Sequence, residues 1–151
     1  MISTMRIITA GAANITKVSL ELGGKGANLV FADADPKAVE RGARHCFNNS
    51  GQSCNAPTRM LVERSFYDQA VEQARKVAEE TAVASAHQPG RHIGPVVSKL
   101  QWDKIQDMIQ QGIDEGARLV AGGPGLPEGV NRGYYVRPTV FADVNNDVLT
   151  V

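Results

Sequence analysis

At 151 residues with 42% apolar residues, the chain has material for one compact domain, which excludes a multidomain enzyme. Sixteen Lys and Arg balance 16 Asp and Glu, and only 5% of residues are aromatic, so we expect no nucleic-acid partner. No stretch approaches the roughly 18 apolar residues of a membrane span. Two cysteines outside any CxxC pair favour a cytoplasmic protein without disulfides.

The first half of the chain alternates between predicted helices and strands. The chain opens in a helical pattern within residues 1–18, and residues 27–31 predict a short buried strand. Asp35 is placed to cap a helix that begins at Pro36 and ends before an Asn-Asn-Ser-Gly turn. Residues 58–63 then predict a second strand.

A long helix is predicted next, opened by Ser65 and Asp68 in capping-box-like positions and running to about Ala82. Its apolar positions share one stripe, which should face the core: Phe66, Ala70, Ala74, Val77 and Ala78. The charged residues between them form a solvated face.

The last third repeats the same alternation. Ser98 caps a helix that ends at Gly116, and residues 117–121 predict a strand. A Gly- and Pro-rich loop follows, and residues 134–144 predict an extended segment interrupted by Pro138. Because strands alternate with helices, we expect an α/β fold with an open parallel sheet and flanking helices.

Cys54 is the first candidate for chemistry. It lies in a loop rich in small polar residues, whereas a cysteine kept for packing usually has apolar neighbours. The N–H groups of such a loop can stabilise a thiolate and later an oxyanion. Composition alone leaves two interpretations open, a nucleophile or an inert loop thiol. Cys46, on the apolar side of its helix, is interpreted as a core residue.

Glu21 is the second candidate, a single carboxylate between two leucines and just before a double glycine. A carboxylate in apolar surroundings suits a general base. The alternative is an outward-pointing residue on a half-exposed strand, with Leu20 and Leu22 pointing inward. Gly23 and Gly24 either make a turn or let a ligand approach the backbone.

The common nucleotide-binding and zinc-binding motifs are missing from the sequence. No GxGxxG occurs, and the Gly24-Lys25 pair lacks the remainder of a P-loop. His45, His87 and His92 show no zinc-ligand spacing, so we predict no metal site.

Taken together, residues 20–25 (LELGGK) and 49–54 (NSGQSC) resemble the two active-site signatures of the NAD(P)-dependent aldehyde dehydrogenase superfamily, in the family's order and approximate spacing. Residues 28–35 (NLVFADAD), 93–96 (IGPV) and 133–136 (GYYV) are also similar. The resemblance implies the α/β catalytic domain of that family over residues 19–151 and a helical remnant of its cofactor-binding domain over residues 1–18.

The resemblance implies that the Cys54 thiolate attacks an aldehyde, giving a thiohemiacetal and, after hydride transfer to NAD or NADP, a thioester. Glu21 would activate the water that hydrolyses the thioester. Leu22, Gln101 and Lys104 match positions beside the nicotinamide and its ribose. Ser3 matches a turn near the pyrophosphate, although the expected glycines are absent.

The sequence departs from the family's pattern in extent, because family members are several times longer and carry a further cofactor-binding domain and a downstream ribose-holding segment. We therefore expect the central piece of a dehydrogenase that self-associates and is inactive alone. Two alternatives remain open. Cys54 and Glu21 would suffice for acyl transfer or thioester hydrolysis, or both residues are relics in a non-catalytic interaction module.

Overall fold

The computed structural model describes residues 2–145, with side chains described from Thr4 onward. The helices and strands follow one another along the chain as α1 (Ile2–Ala13), β1 (Ala27–Val30), α2 (Ala38–Phe47), β2 (Arg59–Val62), α3 (Tyr67–Glu80), α4 (Lys99–Asp114), β3 (Arg118–Ala121) and β4 (Val140–Ala142). The order of helices and strands confirms the predicted α/β class.

The first two strands form a parallel pair, as predicted. Ala27 is opposite Arg59 and Val30 is opposite Val62, so the two strands align without a register shift. Parallel strands need a crossover connection, and α2 supplies it between β1 and β2. A β-α-β unit therefore carries the cysteine region from one strand to the next.

The core lies where β1, α2 and α3 pack together. Val30, Val39 and Ala70 are almost fully buried and form one cluster, against which Met60 and Phe66 pack. On α3, the predicted apolar stripe is confirmed, because its buried residues all belong to it: Ala70, Val77 and Ala78. Small residues on this stripe let α2 and α3 approach closely.

Two predicted helix starts are wrong in detail. The Asp35 carboxylate accepts a hydrogen bond from the Lys37 N–H at 2.7 Å, but α2 begins only at Ala38. That bond and the nearby Arg41 hold the pKa of Asp35 below its usual value. Before α3, Ser65 does not cap the helix. Its hydroxyl donates to Glu63 at 2.8 Å, so a short 3-10 turn precedes α3 instead.

The start of α4 agrees with the sequence. The Ser98 hydroxyl accepts a hydrogen bond from the Gln101 N–H at 3.2 Å, which satisfies one of the free donors of the first turn. Further along, the Trp102 indole donates to the Tyr135 carbonyl at 2.8 Å. This contact fixes the extended segment after the Gly-rich loop against α4.

The second strand pair corrects the expected topology. β3 and β4 are antiparallel, with Arg118 opposite Ala142 and an irregularity between Leu119 and Ala121. The connection between them contains no helix, and without a crossover helix the chain returns antiparallel. Among residues 2–145, strand pairing thus gives two separate two-stranded sheets rather than one parallel sheet.

Helix α3 lies between the two sheets. It packs against α2 on one side and against β3 and β4 on the other. The Tyr67 hydroxyl at its start accepts a hydrogen bond from the Asp143 N–H at 2.7 Å, and Arg118 pairs with the Asp143 carboxylate. The end of β4 is thereby attached to the core formed by β1, α2 and α3.

At the N-terminus, α1 confirms the helical pattern expected within residues 1–18. Residues 19–26 have no regular secondary structure, so Leu20 and Leu22 do not lie on the half-exposed strand that one interpretation required. Across residues 2–145, none of the helices has the length and apolar character that a membrane crossing demands.

Gly122 gives a test of the β3–β4 packing. It has a φ of +79°, and an added Cβ would lie 2.3 Å from the Pro138 carbonyl oxygen. We expect Gly122→Ala to lower the free energy of unfolding by about 3 kcal/mol, because strain and backbone overlap add. Gly129→Ala, at φ +75° in open space, is the control for strain alone and should cost about 1 kcal/mol. Equal losses in urea denaturation would contradict this packing.

Candidate active site

The cysteine loop, residues 49–55, has an unusual backbone. Asn49, Ser50 and Gly51 all adopt left-handed conformations, with φ values of 51°, 55° and 76°. Two of these residues carry a Cβ, for which this region is disfavoured by about 1–2 kcal/mol each. Such strain persists only where surrounding contacts hold it.

Those contacts come from the loop's own side chains. The Gln52 Oε1 atom accepts a hydrogen bond from the Val97 N–H at 2.8 Å, while its Nε2 donates to the Asn49 carbonyl at 3.0 Å. The Ser50 hydroxyl donates to the Gly94 carbonyl at 2.6 Å. Both side chains thus fasten the loop to the segment that leads into α4.

Cys54 lies at the exposed tip of this loop, in a turn closed by the Ala56 N–H donating to the Ser53 carbonyl at 3.1 Å. The following residue is also held, because the His45 Nε2 atom lies 3.1 Å from the Asn55 carbonyl oxygen. The thiol is therefore accessible while the backbone on both sides of it is fixed.

Cys46 has a different environment. It is partly buried on α2, and desolvation raises the pKa of its thiol, an effect that the nearby Lys25 ammonium partly opposes. A raised pKa leaves less thiolate at neutral pH. Cys46 is half-buried rather than enclosed in the core, because it lines a cleft that Cys54 also lines.

The glycine segment, residues 22–26, approaches the cysteine loop through one charged contact. The Lys25 Nζ atom donates a hydrogen bond to the Gly51 carbonyl at 2.6 Å, across 26 positions of sequence. Gly51 is the last of the left-handed residues and stands three positions before Cys54. The two sequence signatures therefore meet in space.

Both segments line one cleft of about 730 Å³, which we call the Cys54 cleft. One side carries Gly23, Gly24 and Lys25 together with Cys54. The other side is mostly apolar and is formed by α4 and the β4 region: Gln101, Ile105, Met108, Ile109, Val136 and Phe141. A small molecule in this cleft would contact apolar side chains as well as the thiol.

Gly23 and Gly24 leave open space beside the backbone. No atom lies within 4 Å of a Cβ built at either position, and neither has a left-handed φ. Backbone conformation and packing among the described residues therefore do not require glycine here. Both glycines leave the backbone open toward the cleft, which Gln101 also lines.

The predicted site residues are only partly brought together. Cys54 and Gln101 line the cleft, whereas Glu21, Leu22 and Lys104 are exposed and do not line it. Glu21 stands two positions before Gly23, which does line the cleft. The side chain of Ser3 lies outside the described residues.

Sequence reasoning missed two residues that shape the site. The motifs contain Gln52 and Lys25, but sequence patterns assign neither residue a role. In the structure the Gln52 side chain bonds to Val97, and the Lys25 side chain bonds to Gly51. A hydrogen bond over such a separation leaves no periodicity or spacing signal. Their polar character inside glycine-rich loops was the one available hint.

Comparison with known proteins identifies the family. Residues 2–151 match the model of the aldehyde dehydrogenase family, and the chain belongs to that family. This agrees with the resemblance of the two signatures and with an oxidoreductase class for the family.

Individual relatives support the same assignment. A 3-succinoylsemialdehyde-pyridine dehydrogenase from Pseudomonas sp is 44% identical over 143 residues, covering 94% of this chain and 30% of the relative. An aldehyde dehydrogenase structure from Bartonella henselae is 65% identical, with a TM-score of 0.87 over 95% of this chain and 30% of that one. Aldehyde dehydrogenase C from Pseudomonas syringae, a mutant solved with NAD+ and octanal, is 38% identical, with a TM-score of 0.86 over 97% and 30%. The chain spans about 30% of the length of these relatives.

The two cysteines should differ in reactivity. We expect iodoacetamide at pH 7.5 to label Cys54 faster than Cys46 by on the order of tenfold, because Cys54 is exposed and burial raises the pKa of Cys46. Mass spectrometry of timed digests measures both rates in one sample. In urea the difference should vanish, and equal rates in the folded protein would contradict the described environments.

Proposed function

We propose that this chain contributes the nucleophile and the general base of an NAD(P)-dependent oxidation of an aldehyde to a carboxylic acid. The observation that carries the proposal is the meeting of the two signature segments at one cleft, with the Cys54 thiol exposed to it. Membership of the aldehyde dehydrogenase family supports the reaction class. The substrate is an aldehyde whose apolar part contacts the α4 wall.

The reaction begins at the sulfur. The Cys54 thiolate attacks the aldehyde carbonyl, and the Cys54 backbone N–H donates a hydrogen bond to the developing oxyanion of the thiohemiacetal. A fixed loop helps here because its N–H groups need not reorient as charge develops. NAD or NADP, when bound, would supply the hydride acceptor, and loss of the hydride from the thiohemiacetal would leave an acyl thioester on Cys54.

Glu21 completes the cycle as the general base. Its carboxylate takes a proton from water, which attacks the thioester and releases the acid and the Cys54 thiolate. Glu21 is exposed and stands two positions before Gly23, which lines the cleft, in a segment without regular secondary structure. Its exposure supports access to water, and the proposal requires this segment to bring the carboxylate to the acyl group.

The cofactor's nicotinamide end is proposed to lie along the glycine segment. Gln101 lines the cleft. Leu22 and Lys104, both exposed, would hold the nicotinamide and its ribose in this proposal. Ser3 is proposed near the pyrophosphate. NAD and NADP are equally compatible with these residues, because none of them is an acidic or basic discriminator for the adenosine ribose.

Three parts of the proposal concern the chain as a whole. Residues 19–151 are assigned to the catalytic domain and residues 1–18 to the cofactor-binding domain. We infer little NAD(P)H formation by the 151-residue chain alone, because it spans about 30% of its relatives. We infer self-association, because Leu29 and Leu61 are 64% and 52% exposed on one face of the parallel pair. The cytoplasmic location stays a prediction from the sequence.

Protection by aldehydes tests the nucleophile without a cofactor. A reversible thiohemiacetal on Cys54 removes its thiolate, so millimolar butanal should slow alkylation of Cys54 by on the order of threefold or more. Cys46, on the same chain, should keep its rate. Mass spectrometry after timed iodoacetamide treatment gives both values.

Butanol and butyrate are the matched controls for aldehyde protection, since neither offers an electrophilic carbonyl of that kind. If all three compounds slow Cys54 alike, the cleft merely binds apolar chains. If butanal has no effect on Cys54, the thiol is a relic and the proposed function fails.

The role of Glu21 is tested by deacylation. With Cys54 acetylated by p-nitrophenyl acetate, Glu21→Gln should slow hydrolysis of the thioester by on the order of tenfold or more, because the amide cannot accept the proton of water. Intact-mass measurements follow the decay. Glu128→Gln, at another exposed carboxylate, should leave the rate unchanged. An unchanged rate in Glu21→Gln would remove Glu21 from the mechanism.

A further inference from the structure

Lys25 is an amine placed at the same cleft as the Cys54 thiol. Its Nζ atom is held 2.6 Å from the Gly51 carbonyl oxygen, and both Lys25 and Cys54 line the cleft. The mechanism proposed above gives this amine no role. A primary amine that lines the same cleft as an acylated cysteine can attack the acyl group.

The contact with Gly51 restrains Nζ in both protonation states. As an ammonium, Lys25 has three N–H donors, and as a neutral amine it keeps two donors and gains a lone pair. One N–H can therefore still donate to the Gly51 carbonyl while the lone pair attacks. Lys25 is exposed, so its released proton passes directly to water.

We propose that Lys25 is a self-acylation site, which takes the acyl group from a thioester on Cys54. The inference rests on the proposed function in one respect, that Cys54 carries an acyl thioester. The Lys25 amine attacks the thioester carbonyl, a C–N bond forms, the C–S bond breaks, and Cys54 leaves as a thiolate. The proton of the amine goes to water, and no oxidant or reductant takes part.

The direction of this transfer follows from the products. An amide is more stable than a thioester, so the acyl group does not return to Cys54. Confinement of both groups to one cleft raises their effective concentration, which makes this attack faster than acylation of a distant lysine. Because only the neutral amine attacks, the transfer accelerates as pH rises. Transfer to Lys25 competes with the hydrolysis of the thioester that Glu21 assists. It also removes the positive charge of the Lys25 side chain that bonds to the Gly51 carbonyl.

The experiment uses the 151-residue chain with p-nitrophenyl acetate as the acyl donor, followed by hydroxylamine, which cleaves thioesters but not amides. Peptide mass spectrometry should then show acetyl-Lys25 at on the order of tenfold the level at Lys17 and Lys37, exposed lysines that do not line the cleft. Cys54→Ala should bring Lys25 down to their level. Cys46 also lines the cleft and lies near Lys25, but it is half-buried and its thiol pKa is raised, so Cys46→Ala should leave the excess at Lys25 in place.

A second measurement avoids dependence on the folding of a variant. Alkylation of Cys54 with iodoacetamide in the wild-type chain before acetylation should abolish the excess at Lys25. Lys25→Arg keeps a cation and an N–H donor but cannot take the acetyl group under these conditions. In this variant the Cys54 thioester should decay only by hydrolysis.

Each result decides the matter. Acetyl-Cys54 in a sample taken before hydroxylamine, without excess acetyl-Lys25 after it, overturns the self-acylation and leaves the proposed nucleophile intact. Excess acetyl-Lys25 that survives the loss or blocking of Cys54 shows direct attack on the ester and also overturns it. If neither Cys54 nor Lys25 becomes acetylated, the proposed function and the self-acylation fail together.

Discussion

The geometry of the site depends on holding a strained loop in place. Asn49 and Ser50 occupy backbone conformations that residues with a Cβ rarely adopt, and this turn lets the chain present Cys54 at a tip. The side chains of Ser50 and Gln52 compensate by bonding to residues 94–97. The loop is thereby tied to the start of α4, whose apolar face forms the opposite wall of the cleft. The Cys54 thiol and the apolar wall of the cleft are positioned by the same set of hydrogen bonds.

The glycine segment contributes open space along its backbone. Without side chains at Gly23 and Gly24, the cleft stays open along the backbone next to Lys25. Lys25 then joins this segment to the cysteine loop through the Gly51 carbonyl. Open backbone, a thiol and a positive charge are thus concentrated in a small region, which suits an electrophilic carbonyl that becomes an oxyanion.

Local sequence patterns predicted the elements well where side-chain periodicity decided them. The stripe of α3 and the Ser98 cap of α4 are confirmed because both depend on residues within one or two turns. The parallel direction expected for the β3–β4 pair was wrong, because strand direction depends on the connection and the loop after Ala121 contains no helix. The predicted cap at Ser65 failed because its hydroxyl found the Glu63 carboxylate instead.

The candidate site was predictable at the level of motifs and less so at the level of contacts. Cys54 stood out because small polar neighbours surround it, and the structure exposes it to a cleft. The relation of Glu21 to that cleft remains a prediction. Gln52 and Lys25 act over long separations in sequence, which composition and periodicity do not register.

Helix α3 has a consequence for how the chain loses its structure. Neither two-stranded sheet is large enough to be stable alone, and both depend on α3. The β1–β2 sheet is connected to this helix through α2 and β1, and the β3–β4 sheet through the hydrogen bond between Tyr67 and Asp143. Melting of α3 would deprive both halves of their support at the same moment. The cleft, whose walls come from both halves, would then disappear in a single cooperative step rather than erode from one side.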